Sequence, residues 1–133
     1  MKIINALIVV LMLQGCASLS RSVKKTEPNL KPQATVMIMS QMTVDPYNVK
    51  AQLEGLLMER GFEVVDPAVS SDYILRYSYS IEDSFPVNKV FQSFTAILVD
   101  TDDGNIVRSV RFNSGSIFQW SMKKTLKKAV AQL

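Results

Sequence analysis

Between Tyr73 and Ile81 the chain alternates. Tyr73, Leu75, Tyr77, Tyr79 and Ile81 fall on one side, and Ile74, Arg76, Ser78 and Ser80 on the other. Period two is the period of a strand, and a single apolar side means a sheet packed on one face. The next segment, "VFQSFTAILVD", places Phe94, Ala96 and Leu98 on one face and Phe91, Ile97 and Val99 on the other, so both of its faces read as apolar. "NIVRSVRF" follows, with Ile106, Val110 and Phe112 opposite Val107, Ser109 and Arg111. The join between these two strands is "DTDDGN". Its acids suggest calcium, but Gly104 occupies the third alternate position and the twelfth holds no glutamate, so the loop is out of register for that ion. Asp103-Gly104 instead supplies the positive φ angles of a hairpin. Three consecutive strands of this kind make a meander, and the rest of the domain must cover its apolar face.

Two helical patterns are available for that cover. "TVMIM" reads as a buried strand, and "DPYNVKAQLEGLLMERGFEVV" follows it. There Asp45 suits an N-cap and Pro46 a first helical residue. Val49, Leu53, Leu56 and Leu57 form an apolar face, Gly61 closes the helix with Phe62 folded over its last turn, and Glu63–Val65 is a short strand. Near the C-terminus Phe118, Met122, Leu126, Val130 and Leu133 make a stripe, capped by Ser116 with Gln119 or by Ser121, while Lys123, Lys124, Lys127 and Lys128 occupy the remaining surface. The order strand, helix, strand, meander, helix predicts an α+β fold: a two-layer sandwich, with a mixed sheet of about five strands and both helices on one face.

Charge is distributed unevenly along the 133 residues. Residues 34–120 carry eleven Asp/Glu against six Lys/Arg, whereas residues 121–133 carry four lysines and no acid. Residues 16–33 add Arg21, Lys24, Lys25 and Lys31 against Glu27. An acidic body between basic ends argues against nucleic acid as partner and suits work near an anionic membrane. The start of the chain agrees. Lys2 precedes an oily run from Ile3 to Leu13, interrupted only by Asn5, and Cys16 is the sole cysteine. Eleven helical residues rise about 16 Å, short of the roughly 30 Å hydrocarbon core, so the run reads as an export signal rather than a span.

"LQGC", Leu13 to Cys16, resembles a bacterial lipobox, with Leu13 at the apolar position, Gly15 at the small one and Cys16 as the modified thiol. The resemblance implies removal of residues 1–15 as a lipoprotein signal peptide and acylation (palmitate) of Cys16. It also implies transport to the periplasmic face of the outer membrane, because Ala17 rather than Asp follows the cysteine. Residues 16–33, with two prolines and three serines, read as a flexible lipidated tether, and residues 34–133 as a single periplasmic domain. In that domain "LLMERGFEVV", "SDYILRYS" and "AILVDTDDGNIV", in this order, resemble small envelope lipoproteins of Gram-negative bacteria. Their domain is similar to the N-terminal α/β module of the Tol-Pal periplasmic protein and to modules of some secretion-associated lipoproteins.

No histidine exists in the chain, and an acylated Cys16 is no nucleophile, so the usual catalytic triads are excluded. The expectation is a non-enzyme without catalytic residues, metal or cofactor. The Tyr73, Tyr77 and Tyr79 stripe reads as sheet face beneath a helix. The expected role is an interaction or assembly subunit of the cell envelope, held by acyl chains on Cys16. Its partner is another envelope protein or a second copy in a homodimer. The alternative is a periplasmic binding module for a small ligand or glycan. Two helices cover only one face of the sheet, so Phe91, Ile97 and Val99 are the candidate partner surface.

Overall fold

The computed structural model describes residues 20–25, 29–82, 90–113 and 121–133. In chain order the elements are β1 (Ser20–Lys25), β2 (Thr35–Ser40), α1 (Val49–Glu59), β3 (Glu63–Val64), β4 (Tyr73–Glu82), β5 (Val90–Asp100), β6 (Ile106–Asn113) and α2 (Met122–Gln132). The strands form one mixed sheet in the order β1-β6-β5-β4-β2-β3. β2 runs parallel to both β3 and β4, and the other pairings are antiparallel. This is the expected α+β sandwich with one strand more. The addition comes from residues 16–33: Ser20–Lys25 pairs along its whole length with β6, so this part of the expected tether is an edge strand rather than free linker. Leu30 also packs against the core, and the Lys31 backbone N–H donates to the Tyr73 hydroxyl at 3.2 Å.

One apolar cluster lies between the sheet and the helices. Val49, Leu53 and Leu57 of α1, together with Leu126, Ala129 and Val130 of α2, are buried against Tyr73, Leu75, Tyr77, Phe94, Ala96, Leu98, Val110 and Phe112. Each fully buried large side chain contributes about 1.5–3 kcal/mol. The tyrosine stripe is therefore sheet face under helix. α1 ends as its sequence suggests. Gly61 has φ +88°, its N–H donates to the Met58 carbonyl, and the Phe62 N–H donates to the Leu57 carbonyl. These paired bonds satisfy the last turn's carbonyls. α2 begins at Ser121, whose hydroxyl accepts from the Lys124 N–H at 3.3 Å. The alternative cap at Ser116 and Gln119, like Phe118, lies outside the described residues.

The start of α1 departs from expectation. The helix opens at Val49, not Pro46, and its N-cap Asn48 is left-handed (φ 52°) with no side-chain cap. Asp45 still caps the helix, from farther back. Its Oδ1 accepts from the Val49 N–H at 3.0 Å and its Oδ2 from the Lys50 N–H at 2.9 Å. The same carboxylate accepts from the Tyr79 hydroxyl at 2.5 Å and the Tyr77 hydroxyl at 2.8 Å. The two rings stack 6.4 Å apart and 4° from parallel. Burial pushes the Asp45 pKa up, but the bonds from Tyr79, Lys50, Val49 and Tyr77 together outweigh it and hold it below the usual carboxylate range. Burial, and then the bond to Asp45, push Tyr77 and Tyr79 each up to about 12.

The β5–β6 turn is a hairpin. Gly104 has φ +74° and donates to the Asp100 carbonyl at 2.9 Å. Asp100 Oδ1 accepts from the Asp102 N–H and Asp103 Oδ1 from the Asn105 N–H, each at 2.8 Å, so these carboxylates shape the turn. Gly104→Val is expected to destabilise the domain by about 1–3 kcal/mol, because a β-branched residue resists positive φ. Urea unfolding measures this loss, and a millimolar calcium rise in melting temperature would contradict the turn's assignment.

Tyr79→Phe is expected to cost about 1.5–3 kcal/mol, the range for a hydrogen bond to a charged group. Asp45→Ala should cost about 2–4 kcal/mol, because it uncaps α1 and strands two hydroxyls. The two losses should not add in the double variant, since they share one carboxylate. The lowered Asp45 pKa means that its stabilisation is present above the unfolded carboxylate value of about 4 and is lost as pH falls below it. The raised tyrosine values act at the other end: their contribution is complete below about pH 10 and is lost as pH rises towards about 12. Unfolding curves of Tyr79→Phe and the parent across pH should converge at both extremes.

Candidate interaction surface

The strand registers define the sheet face turned away from the helices as a set of rows. At one end stand Met37, Ile74, Val99 and Ile106; next come Met39, Arg76, Ile97 and Ser109. Ser78, Thr95 and Arg111 form the third row, and Ser80, Ser93 and Asn113 the fourth. Among the described residues no helix lies over this face. Ile97 is half-buried at its centre. Val99 is 8% exposed but stands outside the core cluster, enclosed from the other side by its row. Met39 is 43% and Ile106 44% exposed. The surface is apolar at one end, carries Arg76 and Arg111 across its middle, and becomes polar at the other end.

Phe91 does not belong to this surface. It is 5% exposed and sits in the core, with its ring 5.4 Å from that of Phe94 and 5.3 Å from that of Tyr79. A bulge is the cause. Ser80 pairs with Ser93 but Ile81 pairs with Phe91, so Gln92 is an extra residue and the alternation reverses across it. A second bulge acts in the same way on β6. Leu98 pairs with Arg108 and Val99 with Ile106, which turns Val107 into the core and Ile106 outwards, opposite to the even alternation of the sequence. Two phenylalanines three apart were the available signal for the first bulge, because a regular strand cannot put both on one face. Cys16, the lipid-attachment candidate, lies outside the described residues.

Polar groups gather elsewhere. A cleft of about 540 Å³ opens at the Thr35 end of the sheet, lined by Thr35, Met37, Val69, Ser70, Ser71, Asp72, Thr101 and Asp102. Asp72 is occupied there: its Oδ2 accepts from the Thr35 N–H at 2.9 Å and from the Thr35 hydroxyl at 3.1 Å, and its Oδ1 lies 3.4 Å from Lys31 Nζ. The Thr35 backbone bond is the largest influence holding Asp72 below the usual carboxylate range. Lys31 also reaches Asp102 at 3.6 Å, and the Asp72 bond raises its pKa. Two of the cleft's acids are thus joined through one lysine. Among the described residues no group of three or more acids or cysteines is arranged to hold a metal. Arg108 is the one buried cation among them, 3% exposed; its Nη1 donates to the Val107 carbonyl at 2.8 Å and its Nε has no hydrogen-bond partner.

No family model matches the chain, and no curated protein sequence is similar to it. Solved structures share its fold. A PelC dodecamer from Paraburkholderia phytofirmans in space group P6 superposes with a TM-score of 0.55 at 14% identity, covering 86% of this chain and 98% of that one. A single-site PelC variant, also a dodecamer, in space group C2, gives 0.58 at 11% identity over 86% and 93%. A PDZ domain protein from Parabacteroides distasonis gives 0.51 at 14% identity, covering 84% of this chain but 34% of that one. At these identities the likeness is one of fold, shared with proteins of unlike sequence.

Proposed function

We propose that the chain is a lipid-anchored envelope protein, acylated at Cys16 at the periplasmic face of the outer membrane, that works as a non-enzymatic assembly subunit by binding further copies of itself. The observation that carries this reading is the sheet face over which no helix lies among the described residues, with partly uncovered Met39, Ile97 and Ile106 around its apolar end. Uncovered apolar side chains grouped on one face favour a protein contact. The fold likeness to PelC, a dodecamer, supports self-association over a different partner. The absence of histidine and the structural employment of Asp45 and Asp72 support a role without catalysis. The cleft at Thr35 and Asp72 favours a second reading, a binding module for a small polar ligand or glycan. Two of its acids, Asp72 and Asp102, are already paired with Lys31.

Cys16→Ser is expected to abolish incorporation of labelled palmitate and to leave the protein uncleaved or released from the membrane. Label in the variant equal to that in the parent would refute the anchor. For the surface, crosslinking in intact envelopes should give multimers of the full chain, and Ile97→Asp should remove them while the melting temperature stays within a few degrees. Met39→Asp, at a more exposed position of the same row, provides the check if Ile97→Asp unfolds. Multimers that survive both substitutions would exclude this face as the contact.

A further inference from the structure

We propose that the end of the sheet where β1 begins lies against an anionic lipid surface, with the Asp100–Asn105 hairpin pointing away from it. This rests on acylation of Cys16. Three residues separate Cys16 from Ser20, so the covalent chain holds Ser20 within about 14 Å of the anchored cysteine. The register then fixes which part of the domain is near. Ser20 pairs with Asn113, and Asn113 with Ser93, so the anchor is tied to the far end of β6 from the hairpin. From Asn113 to Ile106 the strand extends over about 23 Å. A long tether would leave the domain free to turn; three residues restrict it to orientations that keep this end close.

Charge selects among those orientations. The end that carries the hairpin gathers Asp72, Asp100, Asp102 and Asp103, with Lys31 braced between two of them, and the register brings Lys24 and Lys25 of β1 towards it beside Ser109 and Arg108. The anchored end carries Arg111 on β6, and Glu82 closes β4 there. Helix α2 adds Lys123 and Lys124 at the same end. Its direction follows from Arg60, which donates from the C-terminus of α1 to the Val130 carbonyl. Since α1 runs from Asp45, bonded to Tyr79, to Gly61 beside β3, the C-terminal part of α2 lies at the hairpin end and its first turn at the anchored end. Lysines in a first turn oppose the helix dipole, and that turn holds no acid of its own, although Lys123 shares a hollow with Glu59 of α1. Anionic headgroups reverse that balance, whereas the hairpin's acids are repelled by the same surface.

The test uses the full acylated chain in vesicles of phosphatidylethanolamine with a minority of phosphatidylglycerol. Acylation occupies the only native thiol, so Asn113→Cys or Asp102→Cys introduces a single labelling site. A fluorophore at position 113 should be quenched several-fold more by headgroup spin-labelled lipid than one at position 102. Lys123→Glu with Lys124→Glu should shrink this difference, and so should omission of phosphatidylglycerol. Equal quenching at the two positions in an acylated, vesicle-bound chain overturns the orientation alone. A difference that neither change alters overturns the part assigned to the lysines. A chain that takes up no labelled palmitate overturns the anchor, and the orientation with it.

Discussion

The Asp45 carboxylate ties the two layers together. Four donors converge on its two oxygens: two backbone N–H groups from the first turn of α1 and two hydroxyls from the central strand β4. The helix is thereby fixed in rotation and height over the sheet, and its buried side chains meet the tyrosine rows in one arrangement. Apolar burial alone tolerates sliding. A carboxylate that must satisfy helix and strand at once does not, because any shift takes from it hydrogen bonds that both layers supply. The parallel β2–α1–β3 crossover and the antiparallel meander are separate units joined at this point.

Much of this was legible in local pattern. The period-two alternation of β4, the Asp103-Gly104 turn, the Gly61 stop and the α2 stripe are properties of short stretches, and each appears where its residues indicate. The features that were hidden depend on distant partners. A bulge exists only relative to the strand across from it, so Gln92 cannot be recognised as an extra residue without knowing that Ser80 meets Ser93. That one residue moves Phe91 from the face assigned to partners into the core. Likewise "SRSVKK" has no alternation to mark it, and it becomes a strand because β6 offers an edge. Asp45 was recognised as a cap, but its bonds to Tyr77 and Tyr79 cross more than thirty residues and have no local sign.

The surface question shows the same division. Ile97 and Val99 were assigned to the face opposite the helices, and the register puts them there with Met37, Ile74 and Ile106, residues that no single stretch of sequence groups together. What the fold contributes is placement: it gathers scattered apolar positions from four strands into one patch, with arginines beside it. The chemistry of the patch then belongs to those side chains and not to the fold, which proteins at 11–14% identity share.

The pairing of β1 with β6 has a consequence for the order of assembly. The meander and the β2–α1–β3 crossover join neighbours in the chain, whereas Ser20 meets Asn113, a loop of more than ninety residues. Closing such a loop is slow beside local pairing. In a chain that emerges from its N-terminus, the first strand must therefore wait for the last. Completion of the sheet then draws Ser20–Lys25 against the folded body, so the N-terminal strand is the last to be fixed although it is the first to be made.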